Sequence, residues 1–197
     1  MDEAIALFNQ SLKITERIGD VQGKAATLHE LAGIYANKGE VEQAIALYNR
    51  VLEIDERAGN VQGKAATLKQ LASIYTNKGD VDEAIALYNQ SLKINEGIGN
   101  VQGKAVTLHQ LGILYANKGD VEQAIALFNQ SLKITERLSD VQTKAMTLWW
   151  LGGLAEQQGE YTKAISYLQP ALEILQRLKS PHAESVSASL DRVMRNS

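Results

Sequence analysis

The chain has 197 residues, a formal charge of −3, a pI near 5.7 and no cysteine. Lys and Glu are interspersed, so no basic footprint points to nucleic acid or an anionic membrane, and the lack of thiols removes disulfides, thiolate catalysis and cysteine-based zinc sites. No apolar run is long enough to span a bilayer and no charged-then-apolar leader opens the sequence, which predicts a soluble, cytoplasmic protein.

The pentapeptide Val21-Gln22-Gly23-Lys24-Ala25 returns at Val61-Gln62-Gly63-Lys64-Ala65, at Val101-Gln102-Gly103-Lys104-Ala105 and, altered, at Val141-Gln142-Thr143-Lys144-Ala145. A fixed period of 40 residues denotes stacked supersecondary units, none of which can bury its own apolar face. In chain order, residues 2–18 form a helix of the second type found in each period, here called B, without a helix A before it. Four full pairs occupy 21–60, 61–100, 101–140 and 141–180. Within the first pair, Ala25, Leu28, Leu31, Ala32 and Tyr35 are followed by Val41, Ala44, Ile45, Tyr48, Val51 and Leu52. Spacings of three and four make both runs amphipathic helices. Asp20, Asn60, Asn100 and Asp140 stand where an N-cap acceptor belongs. Gly39, Gly79, Gly119 and Gly159 end helix A, while Gly19, Gly59, Gly99 and Ser139 end helix B. Glu40, Asp80, Asp120 and Glu160 place negative charge at the start of helix B. Pro170 lies inside the last helix B and predicts a kink there. Residues 181–197 form a degenerate capping helix A, with Ser180 as cap, Pro181 in the first turn and an apolar stripe of Val186, Leu190, Val193 and Met194. The prediction is an all-α protein, an α-solenoid of antiparallel helix pairs with about ten helices, forming one array over 1–197.

The order Leu28, Leu31, Ala32, Tyr35, Gly39, Ala44, Tyr48, Leu52, Ile54, repeated as Leu108, Leu111, Gly112, Tyr115, Gly119, Ala124, Phe128, Leu132, Ile134, resembles the tetratricopeptide repeat family across essentially the whole chain. The period of 40 is similar to the longer variant of that repeat. The resemblance implies a right-handed superhelix whose concave wall is built by the A helices. It places Ala26, Ala66, Val106 and Met146 in one wall column and His29, Lys69, His109 and Trp149 in another. Further columns hold Glu30, Gln70, Gln110 and Trp150; Gly33, Ser73, Ile113 and Gly153; and Ala36, Thr76, Ala116 and Glu156. Two binding devices of the family are absent. The carboxylate-gripping Lys, Asn and Arg set is matched in type by Lys69 alone. The Leu-Gly-Asn ladder is replaced by Leu31-Ala32-Gly33, Leu71-Ala72-Ser73, Leu111-Gly112-Ile113 and Leu151-Gly152-Gly153.

The candidate partner-binding residues on that wall are therefore His29, Lys69, His109, Ile113, Met146, Trp149 and Trp150. The two tryptophans are the only ones in the chain. They read either as groove hot spots or as bulk filling a non-ideal junction with the terminal cap. Residues two repeats apart lie on the order of 18 Å apart, too far for His29 and His109 to share a metal ion. Asn37, Asn77 and Asn117 stand beside glycine at helix ends and read first as termination signals. No phosphate loop, metal-binding histidine pair or catalytic constellation is present, so no enzyme activity, metal or cofactor is expected. The carboxylates have lysine three or four residues away, which predicts ordinary helix-surface support. The expected function is a scaffold that binds a peptide or helix of a partner protein in the concave groove, with no nucleic acid or membrane partner. The alternative is a self-associating module, or a recognition segment of a longer multidomain protein, joined through the unpaired first helix by Ile5, Phe8 and Leu12, for instance as a homodimer.

Overall fold

The computed structural model describes residues 2–197, and these form ten helices and no strand. The chain divides into two compact units, Met1–Gly99 and Asn100–Ser197. The first contains α1 (Asp2–Ile18), α2 (Val21–Asn37), α3 (Val41–Ala58), α4 (Val61–Lys78) and α5 (Val81–Gly97). The second contains α6 (Val101–Asn117), α7 (Val121–Leu138), α8 (Val141–Gln157), α9 (Tyr161–Arg177) and α10 (Ala183–Asn196). Within each unit every helix packs on the next, and in the second unit α8 also touches both α6 and α10. The fold is an all-α solenoid of helix pairs.

The helix ends follow from local chemistry. Asp20, Asn60 and Asn100 accept the backbone N–H of the residue three on, at 2.8, 3.0 and 2.9 Å, and Asp140 does the same at 3.1 Å. Each bond satisfies one donor that the first turn leaves without an intrahelical partner. Of the acidic residues before the B helices only Asp120 makes such a bond, to Gln123 N–H at 3.2 Å; Glu40 and Glu160 pair with Lys38 and Lys163 instead. The turn glycines adopt left-handed φ between 67° and 84°, and Ser139 and Lys179 occupy the same conformation at φ 56° and 52°. The capping helix starts later than its sequence signals predict. Ser180 and Pro181 form a turn in which Ser180 accepts the backbone N–H of His182 and Ala183, so α10 begins at Ala183. Helix α9 runs unbroken from Tyr161 to Arg177 through Pro170.

The core is a chain of small clusters, each bridging neighbouring helices. Ala25, Leu28 and Val51 gather Leu12, Leu47 and Ile54. Ala124, Phe128, Leu151 and Leu154 gather Ile113, Ile125 and Trp150. Ala145, Leu148, Leu168, Leu175, Val186 and Val193 gather Met146, Trp149 and Leu190. Helix A approaches helix B closely at one column. A Cβ on Gly112 would lie 2.7 Å from the Phe128 ring, and one on Gly152 would lie 2.6 Å from Leu168 Cγ. The corresponding residues in the first unit, Ala32 and Ala72, are fully buried. Buried Ser91 and Ser131 on the B helices donate to the carbonyls of Ala65 and Ala105 on the A helices, both at 2.8 Å. That bond removes the cost of an unpaired hydroxyl in the interior.

Surface ion pairs depart from the expected spacing. Arg57–Glu53 lies within one helix, and Lys163–Glu160 joins the first turn of α9 to the residue before it. Lys24–Glu16, Lys64–Glu56, Lys144–Glu136, Lys38–Asp2 and Lys78–Glu42 connect different helices. A stacked array brings charges of successive helices side by side, so the repeat, not the helix turn, sets the partner.

Candidate functional site

The wall residues differ sharply between the two units. In the first unit His29 is half-buried; its Nδ1 lies 3.3 Å from Thr67 Oγ1 and its ring meets Tyr48 edge-on at 5.1 Å. Burial lowers its pKa; Glu30 and Asp55 oppose that shift, while Lys69 adds to it. Lys69 is itself half-buried. The Tyr88 hydroxyl bonds to the wall side chains Ser73 and Thr76, and burial pushes its pKa up to about 12.

In the second unit His109 is only 6% exposed. Its Nδ1 lies 2.9 Å from Thr147 Oγ1 and its ring packs on Phe128 at 5.6 Å between centroids. Burial alone takes its pKa down to about 4, so it is neutral at pH 7. This corrects the expectation that His109 offers a polar contact to a partner. Phe128 and Thr147 lie against it.

The two tryptophans come together at one cleft of about 390 Å³. Its apolar floor is Trp149, Trp150, Gly153, Leu154 and Ala116; Asn117, Gln157, Ser189 and Arg192 form a polar rim. Each indole also has a packing role. Trp150 stacks on Phe128 with centroids 6.1 Å apart and planes 21° apart, and Trp149 contacts His182 at 5.8 Å. Trp149 thus packs with the cluster that holds Val186 and Val193 of α10, Trp150 packs on Phe128, and both line the cleft. Ile113 and Met146 are half-buried and pack against the same clusters as Trp150 and Trp149 respectively.

The rim contains residues that the repeat columns do not reveal. Arg192 holds Glu156 with two bonds, Nε to Oε1 at 2.6 Å and its terminal nitrogen to Oε2 at 2.8 Å. The guanidinium lowers the Glu156 pKa, so the carboxylate stays ionised. Register places Arg192 in the column of Ala32, Ala72, Gly112 and Gly152, where every other copy is small and buried. No further helix B packs on α10 among the described residues, and that column becomes free surface.

Asp55 is a second residue that column reading passes over. It is buried, accepts Asn60 Nδ2–H at 2.8 Å, and burial raises its pKa. The equivalent positions hold Thr15, Asn95, Thr135 and Leu175, so a charged group stands where neutral ones suffice elsewhere.

On α1 the structure redistributes the residues assigned to self-association. Leu12 packs into the cluster of Ala25, Leu28 and Val51, on the face covered by α2. Ile5 and Phe8 are half-buried, while Leu7, Ile14 and Ile18 are the exposed apolar side chains. Leu12 is therefore part of the intramolecular core and not of a free surface.

Among the described residues no three His, Cys, Asp or Glu side chains stand together as a metal site, and no helix is long and apolar enough to cross a membrane. Models of the tetratricopeptide repeat match residues 1–57 and 63–137, and a second such model matches 109–177. The chain belongs to the tetratricopeptide repeat family. Comparison with curated proteins gives no match. Solved structures similar to this tetratricopeptide repeat chain include BtubC from P. vanneervenii, 21% identical with a TM-score of 0.86, covering 99% of this chain and 83% of that one. The TPR-like repeats of a putative kinesin light chain from Podosopora anserina are 22% identical with a TM-score of 0.69, covering 87% and 85%. Aspartyl phosphate phosphatase F from Bacillus subtilis is 16% identical with a TM-score of 0.76; the match covers 82% of this chain and 43% of that one. At these identities the likeness concerns the fold, and a repeat scaffold of this kind serves many unrelated purposes.

Proposed function

We propose that this tetratricopeptide repeat chain is a non-catalytic, cytoplasmic interaction scaffold that holds a helix or short linear segment of a partner protein in the cleft of the second unit. The carrying observation is the convergence of both tryptophans on one apolar floor with a polar rim. Tryptophan in a sheltered concavity is the commonest kind of interface anchor, and the surrounding polar groups fix orientation. A cleft of about 390 Å³ accommodates one or two apolar side chains of the bound segment. Glu156 and Arg192 neutralise each other through two hydrogen bonds, so adhesion comes from the indoles and not from a free charge.

Truncating either tryptophan also removes packing against Phe128 or His182, so the decisive variant is Gly153→Leu. Gly153 is exposed and a Cβ there meets no atom within 4 Å. The leucine fills the cleft without disturbing the helix. Affinity capture with the parent chain identifies the partner, and its titration is followed by intrinsic fluorescence, since both indoles line the cleft. The expected result is partner binding that Gly153→Leu abolishes while melting temperature and helicity are retained. Equal affinity of Gly153→Leu and Trp149→Ala to the parent sinks this assignment.

A further inference from the structure

We infer that the groove between α2 and α4 in the first unit is a second binding site, which takes a lysine side chain of a partner protein against the Asp55 carboxylate. The groove encloses about 250 Å³, and Ala25, Ala26, Val51 and Ala66 line it together with Asp55 and Glu30. Asp55 is 3% exposed and stands at depth, while Glu30 is exposed. Asp55 Oδ1 accepts the Asn60 amide at 2.8 Å, and no other hydrogen bond reaches the carboxylate. Oδ2 lies 2.8 Å from the place a Cβ on Gly63 would occupy, and Gly63 lines the groove. Every fully enclosed side-chain nitrogen or oxygen among the described residues has a partner, so the free Oδ2 opens to the groove.

A buried carboxylate with one oxygen unpartnered costs stability unless a cation joins it. No lysine or arginine lines the groove. His29, the one basic side chain there, is kept neutral at pH 7 by burial, and Lys69 acts on His29 and not on Asp55. Holding Asn60 does not require the charge, since Asn95 stands in the same place ahead of Asn100. Glu30 is likewise the only acid of its column, which continues as Gln70, Gln110 and Trp150. The two acids therefore fall in one groove in this copy alone. The ligand's chemistry follows. With Oδ1 occupied, a single oxygen is left, which suits the compact ammonium of lysine and denies arginine its two-pronged grip. The apolar wall covers the methylene stem. A metal ion lacks ligands, because no three His, Cys, Asp or Glu side chains stand together among the described residues. The groove belongs to the first unit and does not depend on the tryptophan cleft.

The test uses the intact, isotope-labelled chain and the peptide acetyl-Ala-Ala-Lys-Ala-Ala-amide at fixed ionic strength, followed by nuclear magnetic resonance. Expected are saturable amide shifts at Asn60, Gly63 and Ala66, with a dissociation constant on the order of 1 mM. The affinity falls roughly tenfold or more in Asp55→Asn, which keeps an oxygen for Asn60. It falls likewise in Ala66→Met, which fills the groove from an exposed position with the residue that α8 carries in the same register, Met146. Glu53→Gln removes an exposed carboxylate from the same helix and leaves the affinity unchanged. A peptide with norleucine in place of lysine does not bind, and one with arginine binds more weakly. The inference is overturned by the absence of saturable shifts, by equal affinity of Asp55→Asn and the parent, or by norleucine binding as well as lysine. A loss in Glu53→Gln as large as that in Asp55→Asn overturns it too, since the attraction is then one of net charge. An arginine peptide held as tightly as the lysine peptide overturns the choice of an ammonium.

Discussion

His109 ties the wall to the pH response of the protein. Buried and neutral, it refuses in the folded state a proton that the unfolded chain accepts at its ordinary pKa. Stability is therefore full above about pH 6.5, falls as pH drops toward the folded value near 4, and levels off once both states are protonated. The whole interval is worth about 3 kcal/mol. Urea unfolding at pH 7 and pH 4.5 is expected to show a larger acid loss for the parent than for His109→Gln, whose neutral amide still reaches Thr147. Equal losses in the two proteins would mean that His109 takes its proton while folded. Asp55 has the opposite sign. Burial raises its pKa, so its charged form costs stability that returns only when acid protonates it. Asp55→Asn, which copies Asn95 and keeps an oxygen for Asn60, is expected to raise the melting temperature at pH 7 and to lose that advantage near pH 3. At this scale the sequence exposes the unusual His and Trp residues in their columns, while Asp55 goes unmarked. Whether His109 is buried while His29 is half-open depends on neighbours from other helices, which no column contains.

Among the elements, the A and B helices approach closely where Gly112 meets Phe128 and Gly152 meets Leu168. Adding a methyl group there forces the larger side chain to shift, and Gly152→Ala is expected to destabilise by about 1–3 kcal/mol, the usual range for overpacking, despite alanine's better helix propensity. Denaturant titration of the variant measures it; a gain in stability would show that Leu168 yields freely. The B-helix ends offer the reverse case. Ser139 and Lys179 hold left-handed φ that glycine adopts without strain. Ser139→Gly and Lys179→Gly are each expected to stabilise by about 1 kcal/mol, read as a higher midpoint in urea. The turn glycines and N-caps were legible in sequence because each acts within a few residues of itself. The start of α10 was not. The Ser180-Pro181 signal is genuine, but Ser180 closes a turn onto His182 and Ala183 before the helix begins.

At the scale of the whole molecule the two terminal helices contribute unequally. Helix α10 buries Val186 and Val193 completely and clamps Glu156 through Arg192, while α1 buries no residue fully. Deleting residues 181–197 is expected to lower the melting temperature markedly and to red-shift tryptophan emission as Trp149 loses its cover. Deleting residues 2–18 is expected to cost less and to leave the emission unchanged. The reverse order would contradict the burial pattern. What the sequence by itself determined is what recurs: the helix pairs, the N-caps of the A helices, the glycine turns, and membership of the tetratricopeptide repeat family. Each of these depends on short-range periodicity and is stated several times over in the chain. The tertiary structure alone decided the cleft, the burial of His109, the Glu156–Arg192 pair and the groove over Asp55. These arise where the pattern stops or changes, at positions whose environment is set by helices distant in sequence. Identical residues become core in α7 and surface in α1 because burial belongs to the neighbour and not to the residue.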